Sequence, residues 1–283
     1  MAGLRLKWGK WDLDLEARPH IMGVINVTPD SFSDGGDFFA PGEAVTQGLL
    51  MVEAGADILD VGGESTRPGA DPVSEEEEIN RVLPVIQALA GRVEVPVSID
   101  TYKSSVARAA LTAGAAIVND ISGGRFDPEV LNLAAEAGVP LILMHMLGRP
   151  RNMQDNPVYA DLVGEIKGFL VDAVQRAKKA GLDPEMIIVD PGIGFGKTFE
   201  HNLILINRLG ELAELGQPLL VGPSRKAFLG RILGGVPPKE RDAATAAIVA
   251  LAAYNGANIL RVHNVGLARQ TLAAVGAVMN EHA

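Results

Sequence analysis

The chain has 283 residues and a hydrophobic fraction of 47%, and this length suits either two ordinary domains or one large α/β barrel. Its formal net charge of -10 argues against a nucleic-acid binder or a membrane-surface protein, because both need broad positive faces. The sequence contains no cysteine and no apolar stretch long enough to span a bilayer, so we expect a cytoplasmic protein without disulfides or thiolate chemistry.

The first predicted element is a β-hairpin in an N-terminal extension, residues 1–18. Apolar and polar residues alternate on both sides of Gly9-Lys10, which is a two-residue connection with glycine at the first turn position. This pattern predicts a short hairpin that caps the bottom of a barrel and carries no chemistry.

Eight short apolar segments alternate with eight helical patterns after the hairpin. The predicted strands are 21–26, 57–61, 97–100, 116–119, 141–144, 187–190, 219–221 and 259–262. The predicted helices are 41–55, 74–90, 103–113, 128–137, 161–180, 200–214, 239–254 and 265–281. This alternation predicts the α/β class and a closed (β/α)8 TIM barrel rather than an open doubly wound sheet. Because no linker-like stretch interrupts it, we expect residues 1–283 to form a single domain.

Nearly every predicted strand ends in a polar residue, and in a TIM barrel the strand ends form the active-site rim. One such residue alone would as often be a helix cap or a loop hydrogen-bonding group. A whole set converging on one rim favours a functional site. The set is Asn26, Asp60, Asp100, Asn119, His145, Asp190, Ser224, Arg225, Lys226, Arg261 and His263.

Three of these residues predict a pocket for a flat heterocycle. Asp100, Asn119 and Asp190 offer carboxylate and amide groups that pair with adjacent N–H donors, as on a pterin. A ligand without those donors would leave buried polar groups unpaired, which penalises the wrong substrate.

A second subset predicts an anion clamp, made of Arg67, Lys226, Arg261 and His263. Arginine suits bidentate phosphate contacts, and lysine acts as a point charge. Asn26 could ligate Mg²⁺ through its carbonyl oxygen, because this cation commonly takes one or two protein oxygens together with substrate phosphates and water. Alone, an asparagine at a strand end would more often bond to the backbone. Together these residues indicate a heterocycle that carries a phosphate or diphosphate.

The Gly-rich stretch 190–198, DPGIGFGKT, follows a strand but matches neither common nucleotide motif. Pro191 stands where the Walker pattern needs glycine, and Lys197 stands at the third glycine of a dinucleotide pattern. The stretch is either a tight βα turn or a loop that lets a ligand approach the backbone, with Phe195 as an apolar wall. The two longest irregular loops, 27–40 and 62–73, are expected to be functional lids.

The motifs taken together resemble the dihydropteroate synthase family of folate biosynthesis from about Ile21 to the C-terminus. They are MGVINVTPDSFSDGG, DVGGESTRPG, SIDTYK, NDISGG, MHM with PRNMQ, DPGIGFGK, GPSRK and RVHNV. The resemblance implies a TIM-barrel transferase that joins 6-hydroxymethyl-7,8-dihydropterin diphosphate to 4-aminobenzoate, giving 7,8-dihydropteroate and pyrophosphate. Three departures are the residues after MHM in MHMLGRP, where the family usually has small polar residues, Asn264, where the family often has aspartate, and Arg125 at an ordinarily apolar position.

By the same resemblance, Asp100, Lys226 and Arg261 would be catalytic. The residues that would bind the pterin are Asp100, Asn119, Met144, Asp190, Phe195, Lys226 and Arg261. The diphosphate would be held by Asn26, Arg67, Arg261 and His263, with Mg²⁺ on Asn26. The aminobenzoate site would be shaped by Thr66, Arg67, Pro68, Phe195, Ser224 and Lys226. The resemblance further implies a homodimer and inhibition by sulfonamides, which mimic 4-aminobenzoate.

The chemistry of these residues predicts a dissociative substitution. A diphosphate neutralised by Mg²⁺, arginine and histidine leaves, Asp100 stabilises the cationic pterin methylene, and the aromatic amine attacks without a covalent enzyme intermediate. Two alternatives remain: a pterin-binding barrel related to cobalamin-dependent methyltransferases, and a non-catalytic pterin binder. The motifs GPSRK and RVH and the first loop favour the synthase, because neither alternative needs a diphosphate clamp.

Overall fold

The computed structural model describes residues 4–28 and 41–280. Most of the predicted first loop, 27–40, therefore lies outside the described residues, as does the end of the last predicted helix. None of the helices in the described part of the chain is long and apolar enough to cross a membrane.

The described residues form a parallel eight-stranded barrel. Its strands are β3 (His20–Asn26), β4 (Ile58–Gly62), β5 (Val97–Asp100), β6 (Ile117–Asp120), β7 (Leu141–Met144), β8 (Ile187–Asp190), β9 (Leu220–Val221) and β10 (Ile259–Val262). Hydrogen bonding runs in the order β8-β7-β6-β5-β4-β3-β10-β9. A parallel bridge between Val189 and Leu219 joins β8 to the beginning of β9, and it completes the circle. The predicted (β/α)8 class is confirmed.

Helices surround this barrel. They are α1 (Pro41–Glu53), α2 (Glu75–Ala90), α3 (Ser104–Thr112), α4 (Glu129–Ala137), α5 (Leu162–Lys179), α6 (Phe199–Asn207), α7 (Gly210–Ala213), α8 (Ala227–Ile232), α9 (Asp242–Tyr254) and α10 (Val265–Asn280). Short 3-10 turns cover Pro184–Met186 and Pro238–Arg241.

The structure differs from the predicted helices at two places. The single helix expected over 200–214 is divided into α6 and α7, because α6 ends at Asn207 and Arg208 leaves the helical conformation with φ -104° and ψ 20°. The six-residue helix α8 was not predicted, since so short an element carries less than two turns of periodic pattern.

The N-terminal hairpin closes one end of the barrel. Strands β1 (Arg5–Trp8) and β2 (Trp11–Asp14) pair antiparallel, and Gly9 makes the turn with a φ of 50°. The indole nitrogen of Trp8 donates to the carbonyl of Ala116 at 2.9 Å. Because Ala116 immediately precedes β6, the hairpin lies at the amino-terminal ends of the strands and leaves their carboxyl ends open for a site.

The hydrophobic interior has two parts. The larger cluster fills the barrel and the layer between strands and helices, as expected for a parallel sheet that is covered on both faces. The smaller cluster consists of Ile121, Met144, Met146, Met153 and Phe195. It follows the carboxyl ends of β6, β7 and β8, so the apolar side of the candidate site is separate from the main core.

Candidate active site

A pocket lies at the carboxyl ends of the barrel strands, and we call it the inner pocket. Its lining residues are Thr66, Asp100, Asn119, Ile121, Met144, Asp190, Ile193, Phe195, Gly222, Lys226 and Arg261. All seven residues predicted to bind a pterin are in this set. One wall is apolar and the other is charged, which suits a flat heterocycle with polar edges.

Arg261 is held at the edge of the inner pocket by two carboxylates. Its Nε donates to Asp60 Oδ2 at 2.6 Å, and its Nη2 donates to Asp100 Oδ2 at 2.6 Å. Burial alone would lower the pKa of Arg261, but the charges of Asp60 and Asp100 raise it above its ordinary value. The guanidinium is therefore a fixed cation whose orientation is set by β4 and β5.

Asp60 is the residue that sequence reasoning left without a role. Its side chain is fully buried, and Oδ2 also accepts a hydrogen bond from Asn119 Nδ2 at 3.1 Å. One carboxylate oxygen thus orients both Arg261 and Asn119. The sequence predicted Asp60 as a strand-end residue, whereas it is the middle residue of β4, and its partners lie 59 and 201 residues away in the chain.

The two predicted acidic residues of the inner pocket both have raised pKa values. Burial raises the pKa of Asp100 to about 7, although the charge of Arg261 acts in the opposite direction. Burial also raises the pKa of Asp190 to about 6, with partial compensation from the backbone N–H of Gly192, which donates to Asp190 Oδ1 at 2.6 Å. Both carboxyl groups therefore change protonation state near neutral pH, so each can exchange a proton with a bound ligand.

Lys226 lies between the charged and apolar walls. Its ammonium lies 4.0 Å from the centroid of the Phe195 ring, a cation–π distance. Burial, and next the charge of Arg261, lowers the pKa of Lys226 to about 8. The residue is thus a cation near neutral pH that loses its proton more readily than an exposed lysine.

The Gly-rich stretch 190–198 forms the tight turn of the first interpretation, and its Phe195 lines the inner pocket as the expected apolar wall. Gly192 has a φ of 69°, and a Cβ there would lie 2.0 Å from the carbonyl oxygen of His145. Lys197 is buried beneath the turn, where its Nζ contacts His145 Nδ1 and the carbonyl of Phe195, each at 3.0 Å. His145 therefore supports the turn and is not among the lining residues of the inner pocket.

A wider groove, which we call the outer cleft, adjoins the inner pocket. The predicted site residues that line it are Asn26, Thr66, Arg67, Pro68, Phe195, Ser224, Lys226, Arg261 and His263. Thr66, Phe195, Lys226 and Arg261 line both spaces. Arg67 and Pro68 are exposed at the mouth. The structure therefore brings every residue that the resemblance assigns to a substrate into these two adjoining spaces, whereas Asp60 and His145 of the predicted rim set line neither.

Ser224 and His263 form a hydrogen-bonded pair in the outer cleft. Ser224 Oγ accepts from the backbone N–H of His263 at 3.2 Å and lies 2.9 Å from His263 Nδ1. Burial, and next the charge of Arg225, lowers the pKa of His263 to about 3. The imidazole is therefore neutral, and when the Ser224 hydroxyl donates to Nδ1 the ring proton lies on Nε2.

Comparison with known proteins decides the family. The model of the family described as "Pterin binding enzyme" matches residues 22–263. The dihydropteroate synthase of Synechocystis is 52% identical over 258 residues, which cover 91% of this chain and 87% of that protein. The chain belongs to the dihydropteroate synthase family.

Solved structures agree with this assignment. The dihydropteroate synthase of Xanthomonas albilineans, determined with 4-aminobenzoic acid, is 45% identical and has a TM-score of 0.92 over 98% of this chain and 99% of that chain. The same enzyme in complex with 7,8-dihydropteroate has a TM-score of 0.88 at 42% identity, over 97% of this chain and 98% of that chain. The predicted family, its fold and its class, a transferase of folate biosynthesis, are confirmed.

Proposed function

We propose that the inner pocket and the outer cleft divide the dihydropteroate synthase reaction between them. The reaction joins 6-hydroxymethyl-7,8-dihydropterin diphosphate to 4-aminobenzoate and releases pyrophosphate. The inner pocket takes the pterin, and the outer cleft takes the diphosphate and the aminobenzoate. The observation that carries this division is the convergence of Asp100, Asn119, Asp190, Lys226 and Arg261 on one pocket.

The inner pocket recognises the pterin through its polar edge. Asp190 and Asn119 are buried and offer acceptors to ring N–H groups, so a ring without those donors would leave them unpaired. Met144 and Phe195 cover one face, and the guanidinium of Arg261 is already oriented for stacking by its two ion pairs. This preorganisation reduces the entropy lost when the ring binds.

The outer cleft holds the leaving group. Arg261 and Arg67 supply positive charge, and neutral His263 donates from Nε2 to a diphosphate oxygen. No group of three or more His, Asp or Glu side chains forms a metal cage within residues 4–28 and 41–280, and one neutral Asn26 oxygen suits Mg²⁺ that is bound mainly by diphosphate and water. When bound, Mg²⁺ neutralises charge on the departing diphosphate.

The chemistry is a dissociative substitution. The C–O bond to the diphosphate breaks with its electron pair on oxygen, and the ionised carboxylate of Asp100 stabilises the cationic dihydropterin methylene. The amine of 4-aminobenzoate then attacks that carbon to form the C–N bond, and its proton passes to the released pyrophosphate. Lys226, which lies beside Phe195 in both spaces, positions the two substrates. No covalent bond to the enzyme forms.

An assay with dihydropterin diphosphate, Mg²⁺ and radiolabelled 4-aminobenzoate tests this function. We expect labelled dihydropteroate and pyrophosphate in equal amounts, and loss of both in Lys226→Ala. Lys167→Ala is the matched control, because Lys167 forms an exposed ion pair with Glu214 and should leave the rate unchanged. Pterin binding without pyrophosphate release would contradict the synthase function, and a trapped enzyme–pterin adduct would contradict the dissociative mechanism.

We further propose that residues 1–283 act as one domain that assembles into a homodimer in the cytoplasm. Helix α9 supports the dimer, because it is rich in alanine yet leaves Leu251 and Tyr254 50% and 68% exposed. Analytical ultracentrifugation should show twice the mass of the 29.8 kDa chain. Leu251→Glu should yield monomers if α9 forms the interface, and cell fractionation tests the location.

A further inference from the structure

The two ends of the segment 64–73 meet at one buried lysine. Lys103 Nζ donates to Glu64 Oε2, to the carbonyl of Val73 and to Glu78 Oε2, each at 2.6 Å. Glu64 begins the segment and Val73 ends it. The three donors of one ammonium are therefore divided between the start of the segment, its end and helix α2, which follows it.

Further hydrogen bonds close the same ring. The backbone N–H of Val73 donates to Glu64 Oε2 at 3.0 Å, and the hydroxyl of Tyr102 donates to Glu64 Oε1 at 2.9 Å. Arg81 Nη1 donates to the carbonyl of Gly63 at 2.9 Å. We call Glu64, Val73, Lys103 and Glu78 the loop clamp.

The loop clamp is buried and charged. The side chains of Lys103, Glu64 and Glu78 are 11%, 7% and 1% exposed. Burial raises the pKa of Glu78 above its ordinary value, although Lys103 opposes that shift. Burying charged groups costs free energy that apolar residues would avoid, so the stability of the core does not account for this arrangement by itself.

The loop clamp lies between the inner pocket and the segment that lines the outer cleft. Lys103 lies three residues after Asp100 in the chain, and its backbone N–H donates to Thr101 Oγ1 at 3.2 Å. The clamped segment carries Thr66, which lines both the inner pocket and the outer cleft, and the exposed Arg67. The end of strand β5 therefore holds the pterin pocket on one side and the base of segment 64–73 on the other.

We propose that the loop clamp positions segment 64–73 for 4-aminobenzoate, with Lys103 as the positioning residue. This inference rests on the proposed function. The clamp restrains both ends of the segment, and the backbone N–H of Gly69 donates to the carbonyl of Pro150 at 3.2 Å near its middle. Thr66, Arg67 and Pro68 therefore stay at the mouth of the cleft before the second substrate arrives, which reduces the ordering cost of binding.

The test compares 4-aminobenzoate with a pterin that lacks the diphosphate, because Arg67 in the clamped segment also faces the diphosphate. Lys103→Met should raise the KM for 4-aminobenzoate about tenfold, while the dissociation constant of 6-hydroxymethyl-7,8-dihydropterin, measured by calorimetry, stays within about twofold. Glu64→Gln and Tyr102→Phe each remove fewer contacts, so their KM values should lie between those of the parent and Lys103→Met. Lys167→Met is the matched control, since its ion pair is exposed at the surface.

The outcomes separate this inference from the function on which it rests. A folded clamp variant with unchanged KM for 4-aminobenzoate overturns the inference, as does an equal loss of affinity for 4-aminobenzoate and for 6-hydroxymethyl-7,8-dihydropterin. If Lys103→Met does not fold, Glu64→Gln and Tyr102→Phe decide the question in the same way. If the parent protein forms no dihydropteroate, the proposed function itself fails, whatever the variants do.

Discussion

The guanidinium of Arg225 donates to both carboxylate oxygens of Asp242, at 2.7 and 2.9 Å. Arg225 lies between Ser224 and Lys226 and has a left-handed φ of 58°, which is unfavourable for a residue with a Cβ. Its backbone N–H also donates to Thr245 Oγ1 at 3.1 Å. The start of α9 therefore holds the strained turn that presents two site residues.

Asp242→Ala should remove this restraint. We expect kcat/KM to fall about tenfold, because Ser224 and Lys226 lose their fixed orientation, and the free energy of unfolding to fall by about 1–2 kcal/mol. Steady-state kinetics and urea unfolding measure the two effects. Glu240→Ala, on the neighbouring 3-10 turn, is the control, and an unchanged kcat/KM in Asp242→Ala would contradict the restraint.

Asp60→Asn should disturb the orientation of Arg261 and Asn119, the two pocket residues that Asp60 holds by hydrogen bonds. The amide cannot match a carboxylate as partner for both Arg261 and Asn119, so we expect kcat/KM to fall by about 10–100-fold. Ser98→Ala is the control, because Ser98 pairs with Asp60 in the strand register. Its hydroxyl is buried and has no partner within the part of the chain that the structure describes. Equal losses in both variants would indicate general damage to the barrel.

The pH dependence of kcat/KM for dihydropterin diphosphate should be bell-shaped. Activity should rise with pH as Asp100 ionises, because its pKa is about 7, and fall as Lys226 loses its proton, because its pKa is about 8. Rate measurements in constant-ionic-strength buffers give both limbs. Lys226→Arg should move the basic limb to higher pH if it retains activity, and a parent profile without a limb near either value would contradict the assignment.

The raised pKa of Asp100 should also make the stability of the protein depend on pH. The folded-state pKa of Asp100 lies above its unfolded value, so its contribution to stability is present at low pH and is lost as pH rises from about 4 to about 7. Thermal unfolding of Asp100→Asn should therefore depend less on pH across this window than unfolding of the parent. A parallel pH dependence in both proteins would contradict the shift.

Gly192→Ala should destabilise the turn after β8 by roughly 2–4 kcal/mol. The new Cβ would meet the carbonyl oxygen of His145 at 2.0 Å, and the backbone φ is 69°. Gly138→Ala is a matched control with a φ of 62° and no atom within 4 Å of its Cβ, so only the conformational cost of about 1 kcal/mol applies. Urea unfolding of both variants separates the clash from the backbone strain.

Arg125 departs from the family's usual apolar residue, and the folded structure supplies partners for its side chain. No local pattern accounts for an arginine at this position. In the structure its Nη2 donates to the carbonyl of Met146 at 2.5 Å, and its guanidinium lies 4.8 Å from the centroid of the Phe169 ring. Asn264 likewise has a partner, since its Nδ2 donates to Asp242 Oδ2 at 2.9 Å. The carbonyl and ring that receive Arg125 lie on other elements, so no sequence window contained them.

Local pattern in the sequence was enough for the class of fold and the location of the site. Strands 97–100, 141–144, 187–190 and 259–262 were predicted at their observed bounds, because each is a short, mainly apolar run that ends in a polar residue or is followed by one. The polar strand ends identified the rim, since parallel strands in a barrel all end at the same face.

The tertiary structure alone decided how those residues act together. Asp60 orients Arg261 across 201 positions of sequence, and Lys103 joins Glu64 across 39. Such pairs depend on which strands become neighbours and on how deeply each group is buried. Burial also sets the pKa values of Asp100 and Lys226. Residue types thus define which chemistry is available, whereas distance and desolvation, which exist only in the folded chain, define the charge state and partner of each group.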